Sequence, residues 1–168
     1  MEIVVNDTNI FIDLYELGLL DDFFKLPLIV HTADFVISEI TKDEQLFAIT
    51  KHIDANNLTV RKFGIEEVVS IQAFSMTVHG NLTFTDCAVW KYAMDNGYTL
   101  LTGDKRLRNQ AEEANVTVRG IIYIFDLLIE HQVLTPPEGA EKLKMLFLRN
   151  PRLPKTAIEE RIEKWTQD

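Results

Sequence analysis

The sequence feature that most constrains the fold is the change, at its start, from a buried strand to a polar turn. Ile3-Val4-Val5 is a β-branched run, the composition of a strand covered on both faces. The next four residues, Asn6-Asp7-Thr8-Asn9, favour turns and helix caps. Apolar residues then recur at helical spacing from Ile10 onward. Since ligands bind at the carboxyl ends of parallel strands, Asp7 stands where α/β proteins place functional side chains.

The same alternation of strand and helix continues along the chain. Further strands are expected at 26–31, 58–61, 98–102 and 116–118, with helical patterns between them. His79-Gly80 and Asn96-Gly97 are expected to end two of these helices. This order predicts an α/β fold with three layers, α/β/α, around a central, mostly parallel sheet. Residues 1–132 are expected to form this domain, and residues 133–168 a helical extension packed on it.

Composition restricts the class of protein. A chain of 168 residues with 46% hydrophobic content can bury one substantial core. No apolar run approaches the roughly 20 residues that span a bilayer, and no signal peptide is recognisable. The single cysteine, Cys87, fits a reducing compartment, so we expect a cytoplasmic protein without membrane contact. The net charge of -9 argues against a broad basic surface for nucleic acid, but not against an acidic centre neutralised by metal ions.

Four carboxylates fall at comparable places in this plan, after a strand or near a helix end. They are Asp7, Glu39, Asp86 and Asp104. If the sheet brings them to one crevice, they repel each other unless cations neutralise them. Hard divalent ions such as Mg²⁺ or Mn²⁺ prefer oxygen ligands and supply that charge. Together the four positions indicate a metal site, although none of them does so alone.

Each acid also has a purely structural interpretation. Asp86 completes a capping box that begins at Thr83, and Asp104 is placed to cap the helix that follows it. A single helical glutamate is ordinarily solvated. Asp7 is one candidate cap of the first helix, but Thr8 or Asn9 can take that role, and we expect them to do so and leave Asp7 to a metal ion.

Four segments in this order resemble the PIN-domain ribonuclease family, which includes VapC-like toxins of bacterial toxin–antitoxin pairs. They are Val4-Val5-Asn6-Asp7-Thr8-Asn9-Ile10-Phe11, Val36-Ile37-Ser38-Glu39-Ile40, Leu82-Thr83-Phe84-Thr85-Asp86-Cys87-Ala88 and Leu100-Leu101-Thr102-Gly103-Asp104-Lys105-Arg106-Leu107. The opening Asp-Thr-Asn is only moderately specific. Its combination with the later Thr-x-Asp and Thr-Gly-Asp is much more so. The match covers roughly residues 1–130.

The resemblance implies a PIN-like fold and an endoribonuclease that uses Mg²⁺ or Mn²⁺ to hydrolyse RNA phosphodiester bonds. The matching catalytic positions are Asp7, Glu39, Asp86 and Asp104. The three aspartates are the implied metal ligands, and the glutamate acts on the ion directly or through water. Asn9 and Thr102 match supporting polar positions that orient a ligand, a phosphate or water.

The resemblance also implies partners. Lys105, Arg106 and Arg108 are placed to hold RNA phosphates, with a solvated helix face as the alternative interpretation. Family members often form homodimers and bind a small antitoxin protein, although the residues themselves indicate neither.

Two other functions stay open at this point. The first is a noncatalytic PIN-like module that binds RNA or protein. The second is an acid-pocket phosphotransfer protein, which the residues support less well. Asp7-Thr8-Asn9 lacks the second aspartate of the phosphatase signature, and no lysine arrangement typical of a receiver domain is recognisable.

Overall fold

The computed structural model describes residues 1–167 as a five-stranded sheet flanked by helices. The strands are β1 (Glu2–Asn6), β2 (Leu28–Ala33), β3 (Leu58–Arg61), β4 (Thr99–Leu101) and β5 (Val118–Arg119). The helices are α1 (Thr8–Glu16), α2 (Leu20–Phe23), α3 (Asp34–Glu39), α4 (Asp43–Asp54), α5 (Ile65–Ser75), α6 (Phe84–Asn96), α7 (Lys105–Glu113), α8 (Ile121–Glu130), α9 (Pro136–Arg149) and α10 (Lys155–Thr166). Every pairing between these strands is parallel. The expected fold class is therefore confirmed.

Burial in the central strands shows that both faces of the sheet are covered. Val4 and Val5 in β1 are fully buried, as are Leu100 and Leu101 in β4. Consecutive residues of a strand point to opposite faces, so helices must pack on each side. One of these helices is α6, which contacts β1, β2 and β4. This is the three-layer α/β/α arrangement.

The strand order is β3-β2-β1-β4-β5, so the direction in which successive strands are added to the sheet reverses between β1 and β4. From β1 it proceeds outward to β2 and β3, and it then returns to build β4 and β5 on the other side. The Asp7 amide donates to the Leu101 carbonyl at 2.9 Å, which holds the carboxyl ends of β1 and β4 side by side. Such a switch point opens a crevice in which α/β proteins bind ligands.

Several element ends differ from the sequence prediction, among them β2, which is Leu28–Ala33 rather than 26–31, whereas the end of α6 agrees with it. Gly97 ends α6 in the left-handed conformation with φ 68°, as expected. By contrast α5 ends at Ser75, before His79-Gly80. The hydroxyls of Ser75 and Thr77 donate to carbonyls of its last turn, an alternative to further helical bonds. The last strand is Val118–Arg119 rather than 116–118.

The segment after residue 133 shares the core of the rest of the chain. Leu143 and Leu146 of α9 and Ile158 of α10 are fully buried in the same hydrophobic cluster as the sheet. Arg161 donates two hydrogen bonds of 2.7 Å to the Asp126 carboxylate on α8. Within residues 1–167, no helix is both long and apolar enough to cross a bilayer.

Candidate active site

Asp7 lies at the centre of the crevice and uses both carboxylate oxygens. Its Oδ1 accepts from the Thr8 amide and its Oδ2 from the Thr102 hydroxyl, each at 2.8 Å. Asp7 is therefore itself the cap of α1, and the expectation that Thr8 or Asn9 would cap this helix is wrong. The reason is the extended conformation of Asp7, with φ -84° and ψ 163°, which directs its carboxylate toward the first amide of the helix.

The surroundings of Asp7 disfavour a bare negative charge. The residue is only 4% exposed. Burial is the largest cause that raises its pKa from 3.8 to about 6, and the negative charges of Asp86 and Glu39 act in the same direction. The two hydrogen bonds to the carboxylate oppose this rise. A bound cation would reverse the balance, because it would neutralise the charge that burial and the neighbouring acids destabilise.

Thr102 connects two of the predicted site residues. Its hydroxyl donates to Asp7 and also accepts from the Asp104 amide at 3.1 Å. Asp104 caps α7, because its Oδ1 accepts from the amides of Arg106 and Leu107. The supporting position and the aspartate that follows β4 are thus joined to Asp7 by one chain of hydrogen bonds.

Glu39 reaches the site from the end of α3. Its Oε2 accepts from the Thr8 hydroxyl at 2.7 Å, although the glutamate itself is exposed. Thr8 is the residue that the sequence analysis missed, since it was assigned to capping alone. Its side chain instead holds Glu39 while its amide binds Asp7. A hydroxyl residue directly after the first aspartate was the available signal.

Asp86 lies in the first turn of α6, where the expected capping box is present. Its Oδ2 accepts from the Thr83 amide at 2.9 Å, and its own amide donates to the Thr83 hydroxyl at 3.1 Å. Burial is the main reason that the pKa of Asp86 is raised, and the charges of Asp104 and Glu39 add to the effect. Each predicted acid therefore interacts electrostatically with at least one of the others.

The carboxylate oxygens of the four acids are ligands that a hard divalent cation prefers, although the acids are not grouped closely enough to bind one together. Three of the acids use a single oxygen each for protein hydrogen bonds. Within residues 1–167, Glu39 Oε1, Asp86 Oδ1 and Asp104 Oδ2 accept none. In the same range, no three His, Cys, Asp or Glu side chains are grouped closely enough to hold a metal ion. Binding would thus require these carboxylates to move toward one another.

A second polar residue at the end of β1 has no assigned role. The Asn6 side chain is fully buried, and neither its Oδ1 nor its Nδ2 has a partner within residues 1–167. A buried amide without hydrogen bonds is costly, so this position is energetically unusual for a core residue. The Asn6 carbonyl, by contrast, accepts from the Thr32 hydroxyl at 2.7 Å.

The remaining predicted positions lie around the crevice on the surface. Asn9 is exposed on α1, and its side chain has no hydrogen bond within the described chain. Lys105 and Arg106 are exposed and Arg108 is half-buried in the first turn of α7, directly after the aspartate that caps it. The three basic side chains therefore lie at the start of the helix that Asp104 caps.

Several solved structures are similar to this chain at low sequence identity. No curated protein matches it significantly. A PilT N-terminus domain protein from Sulfolobus solfataricus P2 is 18% identical, with 73% of this chain and 89% of that one covered and a TM-score of 0.43. VapBC2 from Rickettsia felis, bound to a DNA fragment from its promoter, is 17% identical, with 70% and 98% covered and a TM-score of 0.43. FitAcB from Neisseria gonorrhoeae is 13% identical, with 68% and 95% covered and a TM-score of 0.42.

A protein-family model gives the assignment directly. The model described as DUF3368: PIN domain matches residues 3–167, nearly the whole chain and including the helices after residue 133. The five-stranded parallel sheet flanked by helices agrees with that match. The chain belongs to the PIN-domain family.

Proposed function

We propose that this chain is a divalent-metal-dependent endoribonuclease whose site consists of Asp7, Glu39, Asp86 and Asp104. The observation that carries the proposal is Asp7, a buried carboxylate at the sheet's switch point with a pKa raised to about 6. Its charge interacts unfavourably with two further acids, which a cation would relieve. PIN domains are generally nucleases, so family membership supports the reaction class.

The three aspartates would hold Mg²⁺ or Mn²⁺, with Glu39 as the fourth acidic group. When bound, the ion supplies charge stabilisation at phosphate and lowers the pKa of water. The chain's own groups orient the ligands. Thr102 holds Asp7, Thr8 holds Glu39, and the caps of α6 and α7 fix one oxygen each of Asp86 and Asp104. Such outer contacts tune affinity and geometry at metal sites.

Recognition of RNA belongs to the same proposal. Lys105, Arg106 and Arg108 follow the acidic centre on α7 and would hold phosphates of the substrate. Asn9, which is exposed at the start of α1, would bind substrate or water as a supporting donor. An antitoxin protein and a homodimer are further proposals that rest on family membership alone.

The direct test compares RNA cleavage by the wild type and Asp7→Asn in Mg²⁺, in Mn²⁺ and in EDTA. We expect the substitution and EDTA each to lower cleavage by about 100-fold or more, because both remove the metal site. Asp13→Asn is the matched control, since Asp13 lies on the same helix and has Arg149 and Glu16 as its charged neighbours. Equal cleavage by the wild type and Asp7→Asn would contradict the proposal.

A noncatalytic binding module is the second candidate. It is favoured by the absence, within residues 1–167, of three metal-ligating side chains already grouped for an ion. Mg²⁺ binding separates the two candidates without any cleavage assay. If titration calorimetry detects ion binding to the wild type and none to Asp7→Asn, the metal-dependent enzyme is supported over the binding module.

A further inference from the structure

A large groove lies beside the acidic site. It encloses a cavity of about 680 Å³ between β5, the helices α7 and α8, and the segment that leads into α10. Apolar side chains such as Val118, Ile121 and Leu153 form part of its wall. The C-terminal helices therefore contribute to this groove as well as to the core.

The charge of the groove is opposite to that of the protein. Five basic and two acidic residues line it, a formal excess of three positive charges in a chain of net charge -9. One basic residue, Arg161, is neutralised by its two hydrogen bonds to Asp126. The other four have no carboxylate partner within residues 1–167, and they are Lys105, Arg108, Arg119 and Arg152.

Four unpaired cations in one groove are unusual for this chain, because it has 26 acidic residues and only 17 basic ones. Outside the groove, seven of the twelve basic residues have a carboxylate partner within residues 1–167. Arg119 instead lies over the Tyr123 ring at 5.3 Å from its centroid, and Arg152 is exposed. Four unpaired cations that converge on one groove form a surface complementary to a polyanion.

The groove borders the acidic site, although none of the four acids lines it. Gly103 and Lys105, which line it, are the two neighbours of Asp104 in the chain. The Arg119 carbonyl accepts from the Thr102 amide at 3.0 Å, so the groove wall is hydrogen-bonded to the residue that holds Asp7. A polyanion bound in the groove would thus lie beside Asp104.

Gly120 permits one of the cations to lie close to the wall. A Cβ atom at this position would come within 2.5 Å of an Arg108 guanidinium nitrogen. The glycine therefore leaves space for Arg108 against the start of α8, which has no side-chain cap. The uncapped helix end adds to the positive potential of the groove, while the four side chains supply most of it.

We infer that this groove binds the phosphate backbone of single-stranded RNA on one side of the bond that is cut. The inference rests on the proposed ribonuclease function and extends it to residues outside α7. Arg119 at the edge strand and Arg152 before α10 contact phosphates together with Lys105 and Arg108. RNA is favoured over an acidic protein segment because the proposed ribonuclease cuts RNA beside this groove, so the phosphates that flank the cut bond lie close to these four cations.

The test measures binding of a fluorescently labelled single-stranded RNA by anisotropy, in EDTA so that no cleavage occurs. Arg152→Ala and Lys105→Ala are compared with Lys164→Ala, an exposed cation on α10 outside the groove. We expect each groove substitution to weaken binding about three- to tenfold and to reduce the slope of log affinity against log salt by about 0.7. Lys164→Ala should leave both values unchanged.

Several results would overturn the inference. They are an absence of RNA binding by the wild type, or equal losses in the groove and control variants. It would also be wrong if the groove variants bound RNA normally but lost binding of labelled poly-L-glutamate, since the groove would then serve an acidic protein. The proposed function fails separately. RNA binding that depends on the groove, without cleavage in Mg²⁺ or Mn²⁺, would support the groove inference and contradict the proposed ribonuclease function. Cleavage that the groove substitutions leave unchanged would support the ribonuclease function and contradict the groove inference.

Discussion

At the scale of single residues, helix capping and the proposed metal binding use the same side chains. Asp86 and Asp104 each hold backbone amides through one oxygen and leave the other without a protein partner. Asp7 caps α1 and accepts from Thr102 as well. A carboxylate has about four lone-pair directions, so these bonds do not exhaust it. The caps instead hold one oxygen of each carboxylate and leave its other oxygen to a cation.

The raised pKa of Asp7 predicts how stability changes with pH in the metal-free protein. With a folded-state value of about 6 against an ordinary 3.8, the protonated residue stabilises the fold below pH 4, and this contribution is lost as pH rises through about 6. The full difference is on the order of 3 kcal/mol. Relative to Asp7→Asn, the wild type should therefore gain stability as pH falls from 7 to 4.

Chemical denaturation of both proteins in EDTA at several pH values measures this difference, in which the titration of groups that do not interact with Asp7 cancels. Added Mg²⁺ should raise the melting temperature of the wild type at pH 7 and leave that of Asp7→Asn unchanged. A difference between the two proteins that is independent of pH would show that Asp7 keeps an ordinary pKa.

Thr8 should be a positioning residue for Glu39. Thr8→Val removes the hydroxyl that donates to Glu39 but keeps the amide that binds Asp7. We expect RNA cleavage to fall about tenfold, with a larger Mg²⁺ requirement, because an outer contact of the acidic group is lost. Thr50→Val is the control, since its hydroxyl donates only to the Leu46 carbonyl on α4. Unchanged Mg²⁺ dependence in Thr8→Val would argue against this role.

At the scale of elements, the helix starts around the crevice determine where the acids lie. Thr83 caps α6 and Thr135 caps α9, each in a capping box of the same construction. Only the first of these boxes contains a predicted site residue, Asp86. The pair therefore separates the effect of a cap on stability from its effect on function.

Thr83→Ala and Thr135→Ala should each lower the free energy of unfolding by about 1 kcal/mol, the usual contribution of a helix cap. Only Thr83→Ala should also reduce cleavage, because the Asp86 amide loses its acceptor and the start of α6, which positions the Asp86 carboxylate, becomes looser. Denaturant unfolding and RNA cleavage well below the melting temperature measure the two effects. Equal cleavage by both variants would mean that this cap has no role at the site.

At the scale of the whole molecule, the segment after residue 133 belongs to the core and to the proposed RNA groove. Leu143 on α9 is 0% exposed, whereas Leu148 on the same helix is 84% exposed. Leu143→Ala should therefore cost about 2–5 kcal/mol through lost burial and a residual cavity. Leu148→Ala should change stability by less than about 0.5 kcal/mol.

Equilibrium unfolding in denaturant provides both values, and a single transition followed by two optical probes would show that α9 unfolds with the sheet. If Leu143→Ala were as stable as Leu148→Ala, the extension would be an independent unit that contributes little to the core.

Local patterns were sufficient to predict most helices and strands and the order of the four acids. The β-branched run before Asp7 predicted a buried strand, and Thr83 with Asp86 predicted a capping box, because both signals depend on residues close in sequence. The end of α5 was harder to predict, since the side-chain hydroxyls of Ser75 and Thr77 bond to backbone carbonyls of its last turn, before the glycine signal further along.

By itself, the sequence determined the alternation of strands and helices, the acidic positions that match the PIN-domain family and the caps that lie within a few residues of each acid. Only the tertiary structure decided that Thr102 binds Asp7, that Thr8 binds Glu39, and that Arg152 joins Lys105 in one groove. The reason is physical. A cap is a contact between neighbours in the chain. These hydrogen bonds instead join residues 31 and 95 positions apart, and the groove brings the segment before α10 to α7. Such contacts depend on the order of the strands in the sheet.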